Sequence, residues 1–414
     1  MFRVDLDKCR FCGSNVEILK NLGELYSCGI FPKSVDDHVD RGFLRIGICN
    51  SCALVQLLED YDHNSLYTKS YGYRSSLNES MVAHLNNIAS EISSFLTALN
   101  SKNDLAHLDI GSNDATLLNQ VNDKMRIEEI DINQLGVDPS GEGFKSFYKY
   151  SELLVEPFNL DIARRVGRKF QVISSIAMFY DLPDPKNFVD AISETLSDDG
   201  IWISEQSYFF RMVEQDAFDT ICQEHIEYYS LHDVANLCNA SGLELFDVKF
   251  NEINGGSFRF YAQHKGGQNE RTTNLIEALD TESKRDKRKE LLAMFDRIEN
   301  LKATTVQFLS ECKSKGLEVH GYGASTKGNT LLQYFGIGPD LMPYIAERNE
   351  DKFGKITPGT NIPIISETDS KSRNPYCYFV LPWHFKDAIL IREFEFRSKT
   401  GVKFCFPLPK WEIV

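Results

Sequence analysis

The sequence lacks a long apolar run, an apolar leader and an excess of basic residues. No stretch approaches the ~18 consecutive apolar residues of a membrane span, and the N-terminal MFRVDLDKCR has no secretory apolar segment. The formal net charge of -15 argues against a nucleic-acid or anionic membrane partner. We therefore expect a cytoplasmic protein in which any anionic ligand is held by a local pocket. A length of 414 residues predicts two or three domains.

Cysteine, in contrast, is plentiful, and four of the ten cysteines form two C-x-x-C pairs. In a cytosolic chain of this size, metal ligation or burial is favoured over a disulfide framework. A redox C-x-x-C would need a thioredoxin-like βαβ pattern, which neither pair has. Two such pairs complete a tetrahedral zinc site with no position open for substrate. We expect a structural zinc ion bound by Cys9, Cys12, Cys49 and Cys52, with Cys28 as a spectator.

An aromatic loop and a helix follow the second cysteine pair. Tyr71 and Tyr73 are candidate substrate contacts, although loop aromatics often serve packing. Ser76 and Glu79 have the S-x-x-E form of a capping box, and apolar residues at helical spacing predict an amphipathic helix to about Leu99.

The first α/β segment lacks the G-x-G-x-x-G turn of dinucleotide-binding proteins. Its strand LAHLDIGS leads into the turn DIGSND, which has one glycine and two carboxylates. The next strand ends in an acidic residue, at the position where the ribose of a bound nucleoside needs a hydrogen-bond acceptor. Carboxylates repel a pyrophosphate but suit a sulfonium with an α-amino group. We therefore expect S-adenosylmethionine, with cofactor contacts from Asp109, Gly111, Asn113, Asp114, Asp138 and, on a later strand, Ser174.

A second α/β segment follows a helical stretch predicted over 272–315. Its strand enters GYGASTKGN, which departs from the P-loop order but places glycines, hydroxyls and a lysine at a helix N-terminus. Lys327 and Asn329 are candidate contacts for a diphosphate; the alternative is a tight turn with a solvated lysine. A nicotinamide site is disfavoured, because no acid-ended second strand is obvious.

Two further motifs stay ambiguous from their residues alone. The segment DTICQEHIEYYS, interpreted as helical, could supply a base, a metal ligand or only a packed histidine. The segment NGGSFR precedes a β-rich run and could be a ligand contact or a hairpin turn. Its candidate substrate contacts are Asn254, Ser257 and Arg259.

Seven features occur in order over essentially the whole chain: the paired C-x-x-C motifs, DIGSNDATLL, GVDPS, SEQSYFFRM, DTICQEHIEYYSL, NGGSFRFY and GYGASTKGNTLLQYFGI. Together they resemble the nucleotide-sugar C-methyltransferase family, enzymes that methylate C3 of a 4-keto-deoxyhexose. The resemblance implies an α/β protein with a zinc-binding domain (1–66), a Rossmann-like methyltransferase domain (67–265) and a second Rossmann-like domain (266–414) for the nucleotide sugar.

The same resemblance implies that Glu224 and His225 are catalytic. An imidazole with an ordinary pKa of about 6.5 can accept a C3 proton near neutrality. Three departures from the family pattern leave the acceptor atom open: Gln223 and Cys222 precede the base, and Asp181 stands near where the family has histidine. We expect a C3-methyltransferase acting on a dTDP-, GDP- or CDP-linked 4-keto-6-deoxyhexose. The alternatives are O- or N-methylation of a sugar, or a non-catalytic zinc-ribbon binding protein.

Overall fold

The computed structural model describes residues 3–61, 74–99 and 104–414. Tyr71 and Tyr73 therefore lie outside the described residues. Within the described ranges no helix is both long and apolar enough to cross a membrane.

A small antiparallel sheet lies beside the cysteine pairs. Its first three strands are β2 (Val16–Tyr26), β3 (Arg41–Cys49) and β4 (Val55–Leu57), and β1 (Arg3–Asp5) pairs separately with β5 (Glu59–Tyr61). The fourth strand of the sheet comes from far along the chain, because β11 (Glu227–Tyr228) pairs with β4. The segment that carries the predicted base is thus attached to the zinc-binding part of the molecule.

The middle sheet has seven strands in the order β12-β13-β10-β9-β6-β7-β8, and β13 runs antiparallel to its neighbours. Helices cover both faces, as alternating β and α segments predict. The strands are β6 (Ala106–Ile110), β7 (Asn133–Val137), β8 (Glu152–Leu154), β9 (Phe170–Ile176), β10 (Leu196–Ser207), β12 (Leu243–Asn251) and β13 (Ser257–His264). The helices of this part are α1 (Glu79–Ala98), α2 (Thr116–Ile127), α3 (Leu160–Val166), α4 (Pro185–Thr195), α5 (Phe209–Glu214) and α6 (Leu231–Ala240).

The third sheet has the order β16-β15-β14-β17-β18-β19, parallel except for its last strand. The change of direction in strand order falls between β14 and β17, where ligands of open α/β sheets usually bind. The strands are β14 (Val319–Tyr322), β15 (Ile345–Glu347), β16 (Ile364–Ser366), β17 (Cys377–Val380), β18 (Lys403–Phe406) and β19 (Glu412–Ile413). The helices are α7 (Thr273–Ser283), α8 (Lys287–Ser314), α9 (Thr326–Phe335), α10 (Glu367–Ser372), α11 (Lys386–Arg392) and α12 (Phe394–Thr400).

The mixed α/β class with Rossmann-like sheets is confirmed, but three local predictions are wrong. The stretch 272–315 is helical as predicted, and it forms two helices because Asp286 caps a new helix. The side chain of Asn78, and not that of Ser76, caps α1 by accepting from the backbone N–H groups of Ser80 and Met81. A carboxylate does end the second strand of the third sheet, at Glu347.

The third correction concerns the segment around the predicted base. After a short turn at Phe218–Thr220 the chain runs without helix to β11. The hydrogen bonds that hold this part come from other segments: Ile226 N–H donates to the carbonyl of Tyr180 at 3.0 Å, and its own carbonyl accepts from Leu57 N–H at 2.8 Å. Backbone partners in β4 and in the turn at Phe179–Asp181 therefore replace the helical hydrogen bonds that the sequence suggested.

Candidate active site

The four predicted zinc ligands converge. Their sulfur atoms all lie within 4.8 Å of one another, with Cys9 to Cys52 at 3.5 Å and Cys12 to Cys49 at 3.4 Å. A tetrahedron with zinc–sulfur bonds of 2.3 Å requires sulfur separations of roughly 3.8 Å. The cluster therefore fits a zinc ion, and no ligand position is left for chemistry.

The first cysteine turn also contacts the segment that carries the base. The Arg10 side chain is buried, donates to the carbonyls of Leu57 and Glu59, and lies 3.9 Å from a carboxylate oxygen of Glu227. Glu227 is buried in β11, two residues after His225. Sequence reasoning missed both residues, although an arginine inside the C-x-x-C turn was a usable signal.

The predicted methyl-donor loop follows β6 and has an unusual backbone. Gly111, Asn113 and Ala115 adopt φ of +71°, +47° and +58°. Left-handed conformations cost free energy outside glycine and concentrate at functional sites. The Asn113 N–H donates to the Asp138 carboxylate at 2.8 Å, which connects the loop to the acid that follows β7. Glycine, backbone donors and a strand-end acid are thus assembled at one edge of the sheet.

Two of the predicted cofactor residues lie one layer deeper. The Ser174 hydroxyl donates to Asp109 at 2.6 Å, and both side chains are buried. Burial, together with the charge of Asp138, raises the pKa of Asp109 to about 7, while the bond from Ser174 opposes this. The hydrogen-bonded pair of Ser174 and Asp109 therefore supports the predicted methyl-donor loop from its buried side.

Asn113 and Asp114 bind the chain that precedes α1. The Asn113 amide oxygen accepts from Ser75 N–H at 3.0 Å, and Asp114 accepts from Ser76 N–H at 3.1 Å and from the Arg74 guanidinium at 3.4 Å. These bonds outweigh burial and lower the pKa of Asp114. The two residues position the segment that leads into the cofactor edge.

The imidazole of His225 has a defined orientation. Its Nδ1 lies 2.8 Å from the carbonyl oxygen of Thr220, which can only accept, so Nδ1 carries the proton. The lone pair of the neutral ring is then on Nε2. Tyr180 packs edge-on against the ring at 4.8 Å between centroids. Tyr180 follows Met178, which contacts Gly111 in the donor loop, so the base and the donor loop are joined by one short segment.

Charged groups around His225 set its protonation. Burial alone lowers the pKa of His225, but Cys222, Asp181 and Glu224 outweigh burial and raise the pKa above its ordinary value. Cys222 interacts in turn with Cys28, which lowers the pKa of the Cys222 thiol. Cys28 lies outside the four-cysteine cluster, as predicted, and is instead packed against the loop that carries the base.

Glu224 faces the zinc-binding part and the third sheet. A Cβ on Gly29 would lie 3.0 Å from a Glu224 carboxylate oxygen and 4.0 Å from the Thr326 methyl group. Burial raises the pKa of Glu224 to about 7, and the charge of Cys222 adds to this. Glu224 and His225 both remain partly exposed, so a ligand can reach them.

Three predicted substrate contacts from different motifs lie near this loop. The Lys327 ammonium donates to the carbonyl of Asn254 at 2.9 Å, and the Asn329 amide donates to the carbonyl of Cys28 at 2.7 Å. Residues of all three sheets therefore meet around Glu224 and His225.

Ser257 and Arg259 are engaged elsewhere. The Ser257 hydroxyl donates to the carbonyl of Ile253 at 2.9 Å. The buried Arg259 guanidinium pairs with Glu205 at 2.9 Å and Glu91 at 3.1 Å. Their roles as substrate contacts stay predictions, and the described bonds are those of a turn and of a buried ion-pair network.

A small pocket of about 20 Å³ borders the base. Ser207 at the end of β10, Thr220 and His225 supply polar lining. The remaining wall is mostly apolar and consists of Tyr180, Tyr208, Phe209, Met212, Glu227 and Tyr228. The imidazole therefore lines a small pocket beside the middle sheet.

Family models match successive parts of the chain. A model described as a zinc binding domain matches residues 9–67, a methyltransferase domain matches 81–248, and a C-methyltransferase C-terminal domain matches 252–409. The C-methyltransferase NovU of Streptomyces niveus is 25% identical over 431 aligned residues, which cover 99% of this chain and 97% of NovU.

Solved structures match only part of the chain. The plantazolicin methyltransferase BpumL in complex with SAH aligns with 10% identity over 44% of this chain and 84% of its own, at a TM-score of 0.34. The magnesium protoporphyrin IX methyltransferase of Synechocystis PCC 6803 with bound SAM aligns with 10% identity over 45% and 82%, at 0.33. TM-scores this low carry no weight, so the assignment depends on the sequence matches.

These matches confirm the resemblance inferred from the ordered motifs, and they exclude the non-catalytic alternative. The strand-end acid Asp138, the glycine at positive φ and the acidic loop suit a cationic sulfonium cofactor, and the four thiolates suit zinc. The chain is similar over nearly its whole length to a C-methyltransferase, and it is an S-adenosylmethionine-dependent C-methyltransferase with a four-cysteine zinc site.

Proposed function

We propose that the enzyme methylates C3 of a nucleoside diphosphate 4-keto-6-deoxy sugar, in the biosynthesis of unusual deoxysugars. Bound S-adenosylmethionine supplies an electrophilic methyl group. A sugar C–H bond is inert unless a neighbouring carbonyl makes it acidic, and a 4-keto group does this for C3. The protein must then supply a base and a donor for the oxygen on which negative charge develops.

His225 takes the C3 proton on Nε2 in this proposal. Its Nδ1–H bond to Thr220 holds the ring in the tautomer that a base requires. Glu224 binds a sugar hydroxyl beside it. The oriented imidazole between the donor loop and the third sheet is the observation that carries the proposal.

The nucleotide part of the substrate binds to the third sheet. The N-terminus of α9, capped by the Ser325 hydroxyl that accepts from Gly328 N–H at 3.0 Å, lies at the change of strand order and suits an anion. Asn329 and the glycine turn at Asn254 border the same region. In this proposal the zinc-binding domain ends at residue 66, the methyltransferase domain ends at residue 265, and the remaining residues form the nucleotide-sugar domain.

Hydrogen exchange at C3 tests the proposal. The enzyme is incubated in deuterated water with S-adenosylhomocysteine and, in turn, dTDP-, GDP- and CDP-linked 4-keto-6-deoxyhexoses. We expect deuterium at C3 with one of them, and a loss of about 100-fold or more in His225→Gln, the range for a general base. His232→Gln is the matched control, because His232 pairs with Glu282 at 2.9 Å outside the site.

Methyl transfer is then measured with S-adenosylmethionine, and the site of the new methyl group is found by NMR. A product carrying the methyl group on oxygen or nitrogen, formed without exchange at C3, would contradict the carbon route and support the heteroatom alternative.

A further inference from the structure

Lys327 has a placement that the diphosphate interpretation does not explain. Lys327 is a partly buried residue, and the described hydrogen bond of its ammonium is the one to the Asn254 carbonyl at 2.9 Å. It forms no ion pair with any residue in the described part of the chain. Two of its three N–H bonds are thus available to a ligand.

The position is costly for a cation. Lys327 lies in the first turn of α9, where the helix dipole opposes positive charge. Burial also lowers the pKa of Lys327, although Asp219 and Cys222 oppose this. A desolvated ammonium without a close counter-ion destabilises the free protein. A bound group that develops negative charge would offset this cost.

The surroundings of Lys327 lead directly to the base. Asp219 is buried, accepts from the Trp383 indole at 2.8 Å, and its second oxygen has no hydrogen-bond partner among the described residues. Asp219 directly precedes Thr220, whose carbonyl accepts from His225 Nδ1 at 2.8 Å, and the charge of Cys222 acts on both Lys327 and His225. The cation and the base therefore border Cys222 from different sheets.

We propose that Lys327 is a catalytic residue that donates a hydrogen bond to the substrate carbonyl oxygen and stabilises the enolate formed when His225 removes the adjacent carbon-bound proton. This inference rests on the proposed function. The C–H electron pair becomes the enolate π bond, the carbonyl π pair moves to oxygen, and the proton stays on Nε2. The carbanionic carbon then takes the methyl group, S-adenosylhomocysteine leaves, and the carbonyl is restored.

A base and an electrophile must act on adjacent atoms of the substrate, and in this proposal His225 and Lys327, which flank the segment from Asp219 to Cys222, fill these two roles. Asp181 and Cys222 do not offer a cationic donor: a carboxylate donates only when protonated, and the pKa of the Cys222 thiol is lowered. The ammonium from the third sheet therefore serves as the charged donor at this site.

Exchange kinetics distinguish this role from a diphosphate contact. Lys327→Ala and Lys327→Gln are compared with wild type in the C3 exchange assay with S-adenosylhomocysteine, and the Kd of the matching nucleoside diphosphate is measured by calorimetry. We expect kcat for exchange to fall by about 100-fold or more, while the Kd changes by less than about 3-fold. Lys371→Ala is the control, because Lys371 pairs with Glu393 at 2.7 Å in the same part of the chain.

Chemical rescue provides a second readout. Methylammonium should restore exchange in Lys327→Ala, whereas tetramethylammonium, which has the same charge but no N–H, should not. A structural role would not produce this difference.

Two results would overturn the inference. In one, the Lys327 variants exchange at the wild-type rate; in the other, exchange kcat is retained and the nucleotide Kd rises about 100-fold, as for a diphosphate contact. Binding of S-adenosylhomocysteine shows that a variant is folded. Lys327→Arg replaces any variant that does not fold. An absence of exchange in wild type would instead contradict the proposed function itself.

Discussion

At the scale of single residues, the site depends on which groups surround His225. Its Nδ1 is occupied by the Thr220 carbonyl, and Cys222, Asp181 and Glu224 raise its pKa. A raised pKa keeps the imidazole protonated at neutral pH in the free enzyme. Because only the neutral ring accepts a proton, the exchange rate should increase with pH through the raised pKa of His225.

Cys222→Ser removes the charge that contributes most to the raised pKa of His225. We expect the pKa of His225 to fall, so that the ascending limb of the pH profile of kcat/KM moves to lower pH. The measurement is C3 exchange between about pH 5 and 10. Cys238→Ser is the control, because Cys238 is buried away from His225. An ascending limb at the same pH in both variants would contradict the role of Cys222.

Asp138 is the residue on which cofactor binding should depend most. Its carboxylate accepts from Asn113 N–H at 2.8 Å and from Ser140 N–H at 2.7 Å, and it follows β7 at the edge where we propose that the ribose of the cofactor binds. Asp138→Ala should weaken S-adenosylhomocysteine binding by about 100-fold, since it removes charge-assisted acceptors. Calorimetry measures this affinity, and Asp190→Ala, which removes a partly exposed ion pair with Lys186 on α4, is the control. Unchanged affinity would exclude Asp138 from the cofactor site.

At the scale of elements, the pairing of β11 with β4 makes the zinc-binding part a support for the base. Ile226 bonds to Leu57, and Gln223 donates to the carbonyl of Leu25 at 3.0 Å. The residues on both sides of Glu224 and His225 are therefore held by the small sheet. The metal holds this sheet at Cys49, the last residue of β3.

Removal of zinc should thus affect methyl transfer more than cofactor binding. A Cys9→Ser, Cys49→Ser variant is expected to lose about 10-fold or more in methyl transfer, because the loop with His225 loses its support. S-adenosylhomocysteine binding should be retained, since the donor loop belongs to another sheet. Metal content, turnover and calorimetry test this against Cys312→Ser. A zinc-free enzyme with full turnover would disprove the coupling.

At the scale of the whole molecule, one hydrophobic core joins the three parts. It contains residues of the small sheet, the segment 209–228 and the third sheet. Lys287 at the start of α8 adds a buried link: its ammonium pairs with Asp233 at 2.5 Å and donates to the carbonyl of Ala53 at 3.2 Å. We therefore expect these parts to unfold together.

Lys287→Met tests this link. It leaves the Asp233 charge buried and without its cation, so the free energy of unfolding should fall by about 3 kcal/mol. Lys284→Met, which breaks an exposed pair with Asp280, should cost less than about 0.5 kcal/mol. Urea unfolding followed by fluorescence measures both. Equal losses in the two variants would show that the buried pair does not join the parts.

The sequence by itself determined the zinc ligands, the donor loop and the class of sheet. Each depends on spacing within a short stretch, because C-x-x-C turns and strand-glycine-helix units form from neighbouring residues. Secondary structure that depends on distant partners was harder to predict from the sequence. The segment DTICQEHIEYYS has helical periodicity, yet β4 and Tyr180 supply the backbone partners that a helix would otherwise provide.

The tertiary structure decided what surrounds the base. Cys28, Glu224 and Lys327 are separated by about a hundred residues or more, and only the packing of three sheets brings them together. The protonation of His225 follows from those neighbours, since an imidazole responds to nearby charge and burial and not to its place in the chain. The sequence therefore predicted a methyl-donor loop and a catalytic histidine, and the fold decided which buried and charged groups surround that histidine.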